Sequence, residues 1–180
     1  MRALIAAGAR AHGVDLSLSL VLEVTGHAAV ADVRALPLRS GVYDGALCVL
    51  TLEHVSDHSS VFREAARVTR PGGVFAMVLN HPVWTAPEST PITDSDGEVL
   101  WRPGEYFSTG YSVMTTDAGT VTFFHRTMSD LLNAAATAGW RLERMIELPH
   151  HEFTNQSGIP RLLACRWELE RCAEENGVNP

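Results

Sequence analysis

Cysteine is scarce in this sequence, with three residues in 180, and Cys48, Cys165 and Cys172 share no spacing that suits a metal ion. Cys48 and Cys165 sit inside apolar runs, so reduced, buried thiols in a cytoplasmic protein are expected. Clustered positive charge is also lacking. The formal net charge is −7, and no Lys/Arg-rich stretch offers a surface for phosphates. Neither a nucleic acid nor an anionic membrane is therefore an expected partner. No apolar run has the length of a membrane span. The opening Met1–Gly8 is too short for a secretory signal, and Arg10, His12 and Asp15 follow at once. There is no internal repeat. What remains is ordinary for one globular domain with a proper core: 46% hydrophobic and 19% charged residues.

The patterning alternates. Residues 1–8 read as a helix end closed by Gly8. Residues 9–16 read as a short strand with Asp15 at its tip, and Ser17 to Val24 as two helical turns. Residues 28–33 form a second strand ending near Asp32. Ala46 to Leu50 is a continuous apolar run of the kind buried on both faces of a parallel sheet. Asp57 then caps a helix that carries Val61, Phe62, Ala65 and Val68 on one face. Pro71-Gly72-Gly73 marks its end, and Val74 to Leu79 is the next buried strand. From His81 to about Gly119 the period is lost, while Trp84, Trp101, Tyr106 and Tyr111 mix with prolines. Thr127-Met128-Ser129-Asp130 has capping-box form and opens a helix that Gly139 closes. Leu142–Leu148 and Leu162–Trp167 are two closing strands with no helix between them. The sequence thus predicts an α/β fold. Its sheet is mostly parallel and Rossmann-like, with helices on both faces and an antiparallel strand pair at the end. Residues 1–169 form the domain, with 82–120 an aromatic insert, and 170–180 are a polar tail.

Several segments resemble class I S-adenosylmethionine-dependent methyltransferases of the small-molecule, type 11-like branch. Gly13-Val14-Asp15-Leu16-Ser17 resembles the family's second-strand motif. Ala31-Asp32-Val33 with Leu36-Pro37-Leu38 resembles the third. Tyr43-Asp44-Gly45-Ala46 through Leu52-Glu53-His54-Val55-Ser56-Asp57 resembles the fourth-strand segment, and Arg70-Pro71-Gly72-Gly73 the turn before the fifth. His81-Pro82, His125-Arg126-Thr127, Ala138-Gly139-Trp140 and Ile159-Pro160 match its later segments. The family opens with a strand and a Gly-x-Gly loop, which the resemblance places before Met1. The expectation is thus a fold lacking its first strand and glycine-rich loop, with cofactor affinity reduced accordingly.

The resemblance implies S-adenosylmethionine as cofactor and assigns roles by position. Asp15, with Leu16 beside it, would take the ribose hydroxyls at the carboxyl edge of the sheet; its bland alternative is a cap on the next helix. Asp32 would accept from the adenine amine while the Val33 backbone meets the ring; the alternative is a turn cap. Leu50 and Thr51 would flank the sulfonium and methyl group, or simply end a strand. Methyl transfer is an in-line displacement that mostly needs alignment and dryness, with a base only where the acceptor must shed a proton. Three histidines are candidates, and each has a structural alternative: His54 at a helix entrance, His81 within its loop, His125 on a buried carbonyl. Trp84, Trp101, Tyr106 and Tyr111 form either a substrate lid or the insert's own core. No metal site is expected. Small-molecule methyl transfer leads, a non-catalytic partner-binding or regulatory form comes second, and an NAD-type Rossmann enzyme third.

Overall fold

The structure, a computed structural model, describes residues 1–24, 26–116, 119–149 and 158–171. The polar tail beyond residue 171, with Cys172, lies outside them. The chain divides into two compact units, Met1–Arg39 and Ser40–Pro180.

In the first unit, α1 (Arg2–Ala6) ends before Gly8, whose φ of +87° breaks the helical path. β1 (His12–Asp15) and β2 (His27–Val30) pair in parallel, with Asp15 opposite Val30. The short α2 (Leu18–Leu22) connects them, and its N-cap Ser17 accepts from the Leu20 amide.

The second unit is built on a four-stranded sheet. β3 (Tyr43–Val49) and β4 (Thr69–Asn80) are parallel, and α3 (His58–Val68) links them. β9 (Trp140–Pro149) and β10 (Pro160–Leu169) form the expected antiparallel pair, and β10 also lies antiparallel to β4. The strand order is β3-β4-β10-β9. Asp57 caps α3 by accepting from the Ser60 amide at 3.1 Å. α5 (Met128–Thr137) begins with the capping box foreseen from Thr127 and Asp130, and both of its hydrogen bonds are made. The β3–β4 approach is close enough that a Cβ at Gly45 would lie 2.6 Å from the Val74 carbonyl, so glycine is required there.

One face of this sheet is the core. Phe75, Met77 and Leu79 of β4 and Leu163, Cys165 and Trp167 of β10 are buried on it. The apolar face of α3 covers them with Val61, Phe62, Ala65 and Val68, and α5 adds Leu131 and Ala135. Phe62 meets Phe75 and Trp167 edge-on at 5.8 Å each, while Phe75 and Trp167 stack at 5.6 Å. Trp140 reaches the same cluster, 5.3 Å from Phe75, and donates its indole N–H to the Phe62 carbonyl at 3.0 Å. Truncating any of these rings to alanine would cost about 3–5 kcal/mol. The opposite face carries Leu47, Val49, Ile146 and Leu148, all exposed.

The aromatic insert is more regular than its composition suggests. After α4 (Pro82–Thr85), β5 (Thr90–Thr93) and β6 (Val99–Arg102) form one hairpin, and β7 (Tyr111–Thr116) and β8 (Gly119–Phe124) a second. Among the described residues no helix is long and apolar enough to cross a membrane.

Candidate functional site

Because β1 and β2 run parallel, both of their carboxyl ends lie on one rim of the first unit. Asp15 ends β1, and Asp32 follows β2 by two residues. The Ala31 amide donates to the Asp15 carbonyl at 3.0 Å, which ties the two tips together. Asp15 Oδ1 accepts from the Ser17 amide at 2.8 Å, an Asx turn that fixes its carboxylate at the strand end. Leu16 beside it is 69% exposed. Asp32 is more committed: Arg34 donates to Oδ1 through its amide and Nε and to Oδ2 through Nη2 at 2.6 Å. Those bonds hold the Asp32 carboxyl below its usual range. Val33 lies between them in sequence. Both acids are hydrogen-bond acceptors at one rim, the chemistry that a ribose diol and an adenine amine, both donors, require.

In the second unit β3 ends at Val49. Leu50 follows it with φ +48°, a left-handed backbone that is uncommon for a branched residue, and its side chain remains 46% exposed. Its amide donates to the Val78 carbonyl at 2.7 Å, and Thr51 Oγ1 donates to the Val49 carbonyl at 2.9 Å. One 3-10 turn, Leu52–His54, follows.

That turn presents His54, and the three candidate histidines now separate by their hydrogen bonds. A carbonyl oxygen only accepts, so His54 Nδ1, 2.9 Å from the Thr122 carbonyl, carries the proton. Nε2 is then the lone-pair nitrogen, on an exposed ring that packs 4.7 Å from Phe123. His81 is buried; its Nδ1 accepts from the Val83 amide, and Nε2 donates to Glu147 Oε1 at 2.8 Å. His125 is buried too. Its Nε2 donates to the Tyr106 carbonyl at 2.7 Å, and Nδ1 accepts from the Thr85 hydroxyl at 3.1 Å. Burial lowers the His125 pKa. His81 and His125 thus have both ring nitrogens occupied and serve as braces.

Beneath His54 lies a buried polar network. Glu53 is 2% exposed, and its Oε1 accepts from the Asn80 amide at 3.2 Å and from Asn80 Nδ2 at 2.6 Å. Arg161 donates to Asn80 Oδ1 and lies over the Trp84 ring at 4.7 Å. Glu53 Oε2 is buried with no partner among the described residues. With Thr85, Arg126 and others, Glu53 lines a cavity of about 10 Å³, enough for a single water. Arg126 is 8% exposed and donates to the carbonyls of Leu52, Val55, Ser56 and Phe124.

The aromatic insert residues take different places. Trp84 and Trp101 lie against each other, 4.0 Å between centroids and tilted by 39°, and Trp101 donates to the Val83 carbonyl. The Tyr106 hydroxyl accepts from the Met128 amide at 3.1 Å, which ties the insert to the start of α5. Tyr111 stays 65% exposed, across the hairpin from Phe124. A separate groove of about 450 Å³ is lined by residues such as His58, Thr109, His125, Asp130 and Asn133; of the expected site residues only His125 borders it. No cluster of metal-ligating side chains occurs among the described residues.

Residues 1–77 match the methyltransferase-domain family model. Over nearly its whole length the chain carries the fold of solved methyltransferases. The solved S-adenosylmethionine-dependent methyltransferase from Mesorhizobium loti superposes with a TM-score of 0.80 at 24% identity, over 93% of this chain and 84% of that one. The demethylmenaquinone methyltransferase of Mycolicibacterium vanbaalenii is 50% identical over 42 residues, 23% of this chain and 18% of that protein. The ubiquinone biosynthesis O-methyltransferase of Xanthomonas oryzae pv. oryzae is 36% identical over 73 residues, 40% of this chain and 28% of its own length. The chain therefore spans less than a third of either curated relative. Asp15, Asp32, Leu50 and Thr51, to which the resemblance assigned cofactor roles, all lie at or just beyond strand ends. Sequence reasoning assigned no role to Glu53, Asn80 and Arg161, and took Arg126 only as part of a motif. Burial of charged side chains would have been the signal, and a single sequence does not display it.

Proposed function

We propose that this chain carries out S-adenosylmethionine-dependent methyl transfer to a small-molecule hydroxyl, with His54 as the base. The observation that carries this is the His54 hydrogen bond to the Thr122 carbonyl. It fixes the proton on Nδ1 and leaves Nε2 as a proton acceptor on an exposed ring. Neither His81 nor His125 has a ring nitrogen to spare.

Asp15 and Asp32, with Leu16 and the Val33 backbone, are assigned to the nucleoside, and Leu50 and Thr51 to the methyl-bearing end. S-adenosylmethionine, when bound, supplies an electrophilic methyl carbon. His54 Nε2 takes the hydroxyl proton of the acceptor as that oxygen becomes the nucleophile. The side of the β7–β8 hairpin that carries Phe123 also carries Met114 and Val121, an apolar wall beside the imidazole. That wall suits a ring-bearing acceptor. The O-methyltransferase name of the Xanthomonas relative supports a hydroxyl as the modified group. One observation favours a non-catalytic binding role instead: Arg34 already engages both Asp32 oxygens.

Calorimetry with S-adenosylhomocysteine tests the cofactor assignment. Release of S-adenosylhomocysteine with 3,4-dihydroxybenzoate as phenolic probe tests the transfer. His54→Gln is expected to slow transfer by about 10²–10⁴-fold while leaving cofactor affinity unchanged. Equal rates in the variant and the parent would refute His54 as base. Cofactor binding without any transfer would favour the binding role.

A further inference from the structure

His54 is a useful base only while its ring keeps one orientation and one tautomer. The hydrogen bond that fixes both lasts only while the Thr122 carbonyl stays within reach of Nδ1; without it, rotation about χ2 or a proton shift to Nε2 costs little on an exposed ring. Some other group must hold its two anchor points together. Those anchors are the 3-10 turn that carries His54 and the β8 strand that supplies the Thr122 carbonyl and the Phe123 ring.

Arg126 spans the same two segments. Its guanidinium donates to the carbonyls of Leu52 at 3.0 Å and Ser56 at 3.0 Å, and also to that of Val55, all around His54 in sequence. It donates as well to the Phe124 carbonyl at 3.3 Å, next to Phe123 on β8. The planar fork explains the choice of arginine, since the N–H groups on its two separated terminal nitrogens can serve four carbonyls at once, whereas an ammonium has three donors on one atom. Burial of this cation is costly and lowers its pKa, with partial relief from the charges of Asp57, Glu53 and Asp130. A cation kept in that place against its desolvation cost, and spent on main-chain carbonyls, is a staple. Its stem also crosses the Phe124 ring, 5.7 Å from the guanidinium carbon to the centroid.

We infer that Arg126 is the positioning residue for His54: by clamping the Leu52–Ser56 segment to β8 it holds the Thr122 carbonyl on Nδ1 and keeps Nε2 open for the acceptor proton. This deepens the proposed function and rests on His54 being the base.

The test is side-chain nitrogen NMR on the full-length, selectively labelled protein, with no ligand needed. In the parent, His54 should show a single neutral tautomer protonated at Nδ1. His81 serves as internal control, since its geometry calls for the opposite tautomer, protonated at Nε2. In Arg126→Met, His54 should become a mixture of tautomers while His81 keeps its signature. Methyl transfer to the phenolic probe should fall about tenfold or more in kcat, with the KM for S-adenosylmethionine little changed. Arg126→Lys, which keeps the charge and stem but not the fork, should give the same spectral change and provides the measurement if the methionine variant fails to fold. Retention of a pure Nδ1-protonated His54 in either folded variant overturns the inference, as does an Nε2-protonated His54 in the parent, which is readable whatever the variants do. If the spectra behave as expected while His54→Gln remains fully active, the staple stands and the base assignment falls.

Discussion

Replacing Glu53 with leucine removes the acceptor for two part-buried donors at once. The Asn80 amide and Asn80 Nδ2 both end on Oε1 of a side chain that is 2% exposed. Each orphaned donor costs about 1–3 kcal/mol, so the pair sums to roughly 2–6 kcal/mol. The charges of Arg126 and Arg161 also feel Glu53, and removing it leaves the buried Arg126 and the half-buried Arg161 poorer by one counter-charge. A loss near 4 kcal/mol is expected, which in a chain of this size lowers Tm by roughly 8–16 °C. Glu53→Gln is the control. It keeps a carbonyl oxygen for both donors and gives up only the charge, so its cost should stay within about 1–2 kcal/mol. Urea unfolding followed by tryptophan fluorescence is the assay, since Trp84, Trp101, Trp140 and Trp167 all lie in the second unit with Glu53. A leucine variant within 1 kcal/mol of the parent, or a glutamine variant as damaged as the leucine one, would refute the reasoning.

Acid should destabilise the protein through His125 and His58, whose pKa values burial depresses in the folded state, with Arg126 adding to the effect. A depressed histidine binds fewer protons folded than unfolded. Its contribution is therefore complete above the ordinary value of about 6.5 and is lost as pH falls below that. Tm should drop between pH 7 and pH 5, and His125→Gln should flatten that slope; an unchanged slope in the variant would remove His125 from the account. Burial, then the nearby Glu147 charge, pushes the Cys165 thiol up to about 12. Iodoacetamide at pH 8.5 should leave Cys165 unmodified in the native protein and label it after unfolding, read by peptide mass spectrometry. Native labelling at the unfolded rate would contradict the burial of its sulfur.

The sequence displays those parts of the fold that are decided locally. Asp57 and Thr127 announce their helices because a cap works within three residues, and both make the bonds expected of them. The apolar runs at Ala46–Leu50 and Val74–Leu79 mark two strands, but the first was expected to be buried on both faces and instead, at the sheet edge, leaves Leu47 and Val49 exposed. Less legible was the start of β4, which begins at Thr69 rather than Val74. Pro71 and Gly72 look like a stop, yet a bulge opposite Tyr43–Gly45 absorbs them within the strand. Pro91 likewise hid β5, since a proline argues against a strand unless its hairpin leaves that position unneeded. In the site, Asp15 and Asp32 were visible as strand-tip acids. Arg126 was not, because its partners lie some 70 residues away at Leu52, Val55 and Ser56. Nor was the choice among His54, His81 and His125, which depends on which carbonyl or hydroxyl each nitrogen meets.

In the order β3-β4-β10-β9, only β4 and β10 have a ladder on each side among the described residues. Deuterium uptake should therefore be graded across the sheet. The central pair opens only with global unfolding, whereas alternate amides of β3 and β9 point away from any ladder and exchange within the dead time. The framework beneath Asn80 and His81, at the tip of β4, is thus the slowest-opening part of the unit, and the turn bearing the imidazole is anchored to it through Glu53.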